Sequence, residues 1–285
     1  MILYHQNYLL MKRRNAIRTM ITGGVMTISA GSVRTILAGI NNNDRSKWQI
    51  GHHFWNWPRE WNSDLDTRLR LTKNTGYDGF ESKPDEIGID PLELKDKCSQ
   101  YGVICAGIGG SVKSSVDYAF QAGIKMVRTQ FPKEETKRWV EYAGERDIIL
   151  TAHNHIGREG FRENAVEDGE DLLRYLDERP GMYACPDTGH LLLCGSDPVQ
   201  TILELGERCR FVHLKDIKSS CVGIDQAKKG MWVELGKGAL DVDGVTKALE
   251  KVKFDGWLMV EYHPEQRDYE QSAHRMRQVL KDIGY

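Results

Sequence analysis

From Trp48 onward the chain alternates short apolar runs with longer amphipathic ones. That rhythm buries the short runs as parallel strands and covers them with helices, because parallel neighbours need a crossover of a dozen or more residues. Eight runs read as strands: residues 48–55, 77–82, 103–108, 125–131, 148–155, 182–187, 211–216 and 257–263. Several are apolar almost throughout, as strands covered on both faces must be. Eight helical patterns interleave with them: residues 65–75, 91–101, 112–122, 133–146, 166–178, 198–208, 242–252 and 268–283. Asp90-Pro91 and Asp197-Pro198 each set a capping carboxylate before a proline at the first helical position. This alternation predicts an α/β fold, a single-domain (β/α)8 TIM barrel over residues 41–285. A doubly wound open sheet would need a glycine-rich phosphate loop after its first strand, where this chain has His52-His53-Phe54-Trp55-Asn56-Trp57.

Residues 1–40 follow a different logic. Five of the 39 basic residues fall there (Lys12, Arg13, Arg14, Arg18, Arg34) and none of the 41 acidic ones. A modestly apolar stretch follows the basic start, with small residues at Ala30-Gly31 and Ala38-Gly39. Basic start, apolar middle and small-residue end predict an export signal of twin-arginine type, with the true start near Met11, and a periplasmic or otherwise exported protein. A leader without that function would leave the protein cytoplasmic. The stretch falls short of a spanning helix and no cysteine follows it, so no stable membrane anchor is expected.

The remainder of the chain carries a net charge of −7, which argues against a nucleic-acid partner. Six cysteines occur with no C-x-x-C pair, and Cys105, Cys185 and Cys209 fall in apolar runs. They are expected to be free, buried thiols.

Active sites of such barrels lie at the C-terminal ends of the strands. Polar residues gather there: His52 and His53, Glu81, His153-Asn154-His155, Asp187 and His190, His213 with Lys215 and Asp216, and Glu261 with His263. Seven of the nine histidines lie at strand ends, His5 and His274 being the exceptions. A lone strand histidine is commonly a core residue, but converging carboxylates and imidazoles would be stranded unless a cation sat among them. Alternation puts His153 with His155, His213 with Lys215, and Glu261 with His263 on common sides. The expected metal shell is therefore Asp187, His213 and Glu261, with His153 or His155 as the fourth ligand. Mixed Asp/Glu/His shells suit Mn, Zn, Fe or Co.

Residues 48–285 resemble the xylose isomerase-like sugar isomerase/epimerase barrels. The resemblance rests on Gly76-Tyr77-Asp78-Gly79-Phe80-Glu81, His153-Asn154-His155, Asp187-Thr188-Gly189-His190, Val212-His213-Leu214-Lys215-Asp216, Glu234-Leu235-Gly236-Lys237-Gly238 and Val260-Glu261. It implies a divalent metal, manganese foremost with Zn, Co, Mg or Fe as alternatives, held at Asp187, His213 and Glu261. His153 stands where many members have a glutamate, a departure shared with the H-N-H branch that includes inosose dehydratase-like proteins. The resemblance also implies sugar contacts from Glu81, His190 and Lys215.

The expected function is a divalent-metal-dependent sugar isomerase or epimerase that abstracts the proton beside a carbonyl. Glu81, His155, Glu261 and Lys215 are the catalytic candidates, with Lys215 stabilising the enediolate. His53, Trp55, His190 and Lys215 are the substrate-binding candidates, and Trp57 and Tyr262 are further aromatics for a sugar face. Alternatives are a lyase or dehydratase acting by β-elimination on keto-sugars or 3-keto-glycosides, and a non-catalytic exported carbohydrate-binding barrel. An endonuclease on the same scaffold would require several metals and a basic groove. The expected partner is a small-molecule carbohydrate, and a homo-oligomer is left open.

Overall fold

The computed structural model describes residues 48–53, 64–157, 166–226, 230–262 and 268–285. The export leader expected over residues 1–40 with a start near Met11, the aromatics Trp55 and Trp57, and His263 lie outside the described residues.

Ten strands are described: β1 (Gln49–His53), β2 (Gly79–Ser82), β3 (Ile104–Gly109), β4 (Met126–Arg128), β5 (Ile149–His153), β6 (Tyr183–Cys185), β7 (Phe211–Leu214), β8 (Asp216–Ile217), β9 (Trp232–Val233) and β10 (Trp257–Val260). Eight of them form one sheet in the order β6-β5-β4-β3-β2-β1-β10-β7, every pair parallel. Parallel bridges Ala184↔Cys209 and Asp187↔His213 join the two end strands. Arg210 N donates to Ala184 O at 3.1 Å and His213 N to Pro186 O at 3.0 Å across that seam. The sheet thereby closes on itself, as a (β/α)8 barrel requires.

The helices are α1 (Leu65–Asn74), α2 (Pro84–Ile87), α3 (Pro91–Tyr101), α4 (Val112–Ala122), α5 (Thr136–Gly144), α6 (Gly169–Asp177), α7 (Thr188–Leu193), α8 (Pro198–Leu205), α9 (Val242–Lys251) and α10 (Tyr269–Asp282). Aspartate side chains at 64, 90, 168, 187, 197 and 241 accept from first-turn amides of the helices they precede. Each such cap stabilises its helix by about 1 kcal/mol. An apolar core between sheet and helices includes Leu69, Phe80, Val116, Leu172, Ile202, Val245 and Leu280. Inside the barrel a smaller set, Ala106, Met126, Cys185, Phe211 and Met259, fills the space beneath the mouth. The six cysteines are free, with Cys98, Cys105, Cys185 and Cys209 buried. Among the described residues no helix is long and apolar enough to cross a membrane.

Several expected boundaries shift. β5 stops at His153, so Asn154 and His155 leave the ladder. The seventh run does not continue through Asp216; the chain breaks at Lys215, and β8 pairs antiparallel with β9. The reason is the Asp216 carboxylate. It accepts from Ile217 N and Leu240 N on Oδ1 and from Gly236 N and Gly238 N on Oδ2, at 2.8–3.1 Å. One side chain thus pins residues 236–240 over the seventh strand. A β-carbon at Gly238 would collide with Ile217 O and the Asp216 carboxylate, so this position has room only for glycine. The short helices α2 and α7 were not anticipated; α7 begins directly on Asp187, which places His190 in a helix rather than at a strand end.

Candidate metal centre and active site

β5, β7 and the segments just after β6 and β10 deliver His153, His213, Asp187 and Glu261 to one point at the C-terminal mouth. One ligand atom from each lies within 4.8 Å of the others. His153, Asp187 and His213 are buried, and the Glu261 side chain is 11% exposed. His153 Nε2 is 3.5 Å from Asp187 Oδ2, and His213 Nδ1 is 3.8 Å from Asp187 Oδ2 and 2.8 Å from Glu261 Oε2. Of the two histidines considered for the fourth position, the structure brings His153 into the cluster.

Each member is oriented by a second contact. Asp187 commits Oδ1 to the amide of His190 at 3.0 Å, as cap of α7, and turns Oδ2 inward. Its own amide donates to Asn154 Oδ1 at 2.8 Å, so the asparagine of the H-N-H run ties the end of β5 to the sixth strand end. His213 Nε2 meets Glu81 Oε2 at 2.6 Å. Glu81 is ionised and can only accept, so Nε2 carries a proton and Nδ1 is the nitrogen turned toward the other ligands. Thr188 Oγ1 accepts from Lys215 N at 2.9 Å and donates to Lys215 O at 2.8 Å, fixing the chain next to His213.

Burial alone would raise the Glu81 carboxyl, yet Arg128 and His213 outweigh it and hold the group well below the usual carboxylate range. Arg128 Nε donates to Glu81 Oε1 at 2.7 Å, so both oxygens of this fully buried residue are engaged. Asp187 is likewise held low: burial is outweighed by His190, Lys215 and the nearby His153 and His213 rings. Burial pushes His153 well below the ordinary histidine range, with Asp187 opposing only in part. Burial also lowers His53 and His190 to about 3. Lys215 is raised despite burial, by Glu261 at 2.7 Å and Asp187 at 3.9 Å. Burial would lower His213 too, but Cys185, Glu81 and Asp187 outweigh it and raise His213 well above the ordinary histidine range, so a cation would take the place of its second proton.

Around this cluster stand the substrate candidates. His53 lies with its ring 5.8 Å from that of His213. His52, on the opposite face of β1, binds Thr72 Oγ1 at 2.7 Å and packs on Tyr77 as a core histidine. His155 stacks on His190 at 3.9 Å between ring centroids. Its Nδ1 donates to Ile156 O at 2.8 Å, which leaves the Nε2 lone pair. The amide of Ile156 points at His190 Nδ1 at 3.4 Å, which sets the His190 proton on Nε2. Tyr262 packs partly buried against the core.

Two site residues escape sequence inspection. Arg128 ends β4 on the same face as Met126, and its signal was a basic residue within an apolar strand. Trp232, from β9, lies under Lys215 Nζ at 4.3 Å and beside His190 at 5.2 Å. Gly189 allows this approach, since a β-carbon there would press on Trp232 and on the Lys215 stem at 2.9 Å. Nothing local marks Trp232, because the β8–β9 pairing that positions it depends on Asp216.

Comparison with known proteins agrees with this geometry. Residues 130–279 match the model of a family described as "Xylose isomerase-like TIM barrel". The chain is 28% identical over 130 residues to an inosose dehydratase of Clostridium botulinum (strain Eklund 17B / Type B), an alignment covering 42% of each chain. It is 27% identical over 220 residues to an inosose dehydratase of Clostridium beijerinckii, covering 69% of this chain and 70% of that one. The match thus spans under half the length of the first of these relatives. Among solved structures, a D-allulose 3-epimerase from Methylomonas sp. in complex with D-allulose superposes with a TM-score of 0.67 at 17% identity, covering 83% of this chain and 97% of that one.

Proposed function

The chain belongs to the xylose isomerase-like TIM barrel family, and from that premise we propose that it is a divalent-metal-dependent lyase acting on keto-sugars by β-elimination. The observation that carries the reading is the convergence of His153, Asp187, His213 and Glu261 within 4.8 Å. The residues fit a metal. His153 Nε2, Asp187 Oδ2 and His213 Nδ1 are buried without an aligned hydrogen-bond partner, a costly arrangement unless a cation takes them up. Two imidazoles and two carboxylates suit manganese, zinc, iron or cobalt, and manganese is our first expectation.

When bound, the cation supplies Lewis acidity toward a carbonyl and its neighbouring oxygen, which acidifies the adjoining C–H bond. The rest falls to the chain. Glu81, with both oxygens committed to His213 and Arg128, holds the His213 ring in orientation and is not free to take a proton. His155 is the candidate base: Ile156 O holds a proton on its Nδ1, so Nε2 is the nitrogen through which it would exchange a proton with the substrate. Lys215 holds its charge between Glu261 and the Trp232 face, positioned to meet negative charge developing on oxygen. His190 offers an Nε2–H as a substrate donor. In elimination the C–H electron pair forms the new C=C bond, the C–O bond at the β-carbon breaks, and the proton held by His155 passes to the departing oxygen.

Elimination needs one acid–base group, whereas epimerisation through two faces needs a base on each. His153, buried and drawn into the cluster, stands where a second carboxylate base would serve, and that favours elimination. The dehydratase relatives support the same outcome. Epimerisation is the second reading, favoured by Glu261, whose partly exposed carboxylate could face the other side of the substrate.

Purified protein should contain about one equivalent of a divalent metal per chain and promote solvent deuterium incorporation into 3-keto-glucosides, with release of the aglycone or water. Exchange without release would identify the epimerase; absence of both metal and exchange would leave a carbohydrate-binding barrel. We also infer export of the folded protein, supported by the basic start and apolar stretch of residues 12–39. Full-length protein confined to the cytosol on fractionation would reject that inference.

A further inference from the structure

Beside the metal cluster the mouth opens into a cavity of about 460 Å³ lined by Lys83, Gly110, Ser111, Arg128, Thr129, Gln130 and His153. Its wall is cationic and polar and contains no carboxylate. Arg128 spends one of its five N–H groups on Glu81, through Nε. No described residue accepts from its two terminal nitrogens, and a β-carbon at Gly109 would lie 2.8 Å from one of them. The bare backbone of β3 therefore leaves room for the guanidinium to lie flat at the cavity wall. Next to it Thr129, 6% exposed, holds a buried hydroxyl with no hydrogen-bond partner. At the same wall α4 begins after Ser111, whose side chain pairs with Ser114 and caps none of the first-turn amides. The positive end of an eleven-residue helix is thus added to the cationic side chains.

We propose that this cavity is a subsite for a carboxylate carried by the sugar, so that the preferred substrate is a keto-sugar acid rather than a neutral keto-sugar. The inference rests on the keto-sugar reading of the neighbouring metal centre. With Nε occupied, Arg128 presents the paired edge of its terminal nitrogens, which matches the two oxygens of a carboxylate. The Thr129 hydroxyl and Gln130 supply further polar contacts, although Gln130 Nε2 already donates to His153 O at 2.9 Å. A phosphate dianion would call for a second undivided cation, and Lys83 is shared with Glu86 at 3.5 Å.

The test is calorimetric titration of the full metal-loaded protein with D-gluconate, D-sorbitol and D-glucose 6-phosphate, which need no turnover. Gluconate should bind about tenfold or more tightly than sorbitol, the return expected from a charge-assisted pair of hydrogen bonds. Arg128→Lys keeps a cation beside Glu81 but removes the fork, and should reduce that preference to within about threefold with metal content unchanged. Thr129→Val and Lys83→Ala, which disturb no partner of the metal cluster, should each weaken gluconate selectively. Equal binding of gluconate and sorbitol, or a preference that survives in all three variants, would overturn the proposal. So would tighter binding of the phosphate ester through the same residues. Gluconate preference without deuterium exchange in any keto-sugar or keto-acid would leave the subsite standing and remove the enzymatic reading. Exchange with neutral keto-sugars and no gluconate preference would remove the subsite alone.

Discussion

Glu81 lies near the end of β2, where a carboxylate could serve as a catalytic acid, yet its surroundings give it a different task. Both its oxygens are engaged by Arg128 and His213, and its carboxylate fixes which imidazole nitrogen faces the metal cluster. Glu81→Gln should therefore weaken metal affinity about 10- to 100-fold while the metal stoichiometry at saturation is retained, as competition with a chelator would measure. His52 supports a prediction independent of the site. Burial lowers its pKa from 6.5 to about 3, so the unfolded chain binds a proton near 6.5 and the folded one does not. Its contribution to stability is complete above 6.5 and is lost as pH falls below that value. At pH 5 the loss should be ~2 kcal/mol. His53, His153 and His190 add slopes of the same sign, so urea unfolding at pH 7.5 and pH 5 should show a larger total loss, and His52→Gln should reduce it by the share of His52 alone.

At the level of elements, the mouth of the barrel is built by breaking regular structure. β5 ends at the ligand it carries, β7 ends one residue beyond its own, and α7 starts on a ligand. Asp216 then holds the 236–240 turn and the β8–β9 pair with four backbone amides. Asp216→Ala leaves those amides without their acceptor and should destabilise the protein by about 3 kcal/mol, charge-assisted bonds being the costlier ones to lose. Trp232 rides on that pair, so Asp216→Ala should also change tryptophan fluorescence. An unchanged unfolding midpoint would contradict the role assigned to Asp216. The ion group of Glu234 with Arg275 and Lys237 braces the same turn against α10.

For the molecule as a whole, the proposed metal centre would also be a stability element. Asp187 and Glu261 converge with the His153 and His213 imidazoles, so a cation that binds there only in the folded state must stabilise it. Chelator treatment should lower the melting temperature by several degrees, and readdition of manganese should restore it; no shift on full metal removal would count against the centre. Acid should act in the same direction. Glu81 and Asp187 have folded-state pKa values below their ordinary ones, and Glu234 is lowered to about 2, burial being outweighed by Arg275 and Lys237. Stability from such groups is present above the ordinary carboxylate pKa and is lost as pH falls through the folded-state values. Metal affinity should fall over the same acid range.

Much of this was written in the linear pattern. Short, nearly continuous apolar runs separated by capped amphipathic stretches point to strands covered by helices on both faces. Asp187, His213 and Glu261 could be picked out because strand ends define the barrel mouth in advance. Tertiary structure alone decided the rest. Whether His153 or His155 joins the cluster depends on where β5 stops, which alternation cannot tell. Glu81 became an orienting residue only through Arg128 and His213, which are 47 and 132 residues away. Trp232 reaches Lys215 only because Asp216 captures a distant turn. Local sequence sets the direction of each element from its own periodicity and caps, while the protonation, pairing and free valence of a buried polar group are fixed by neighbours that the chain brings near only on folding.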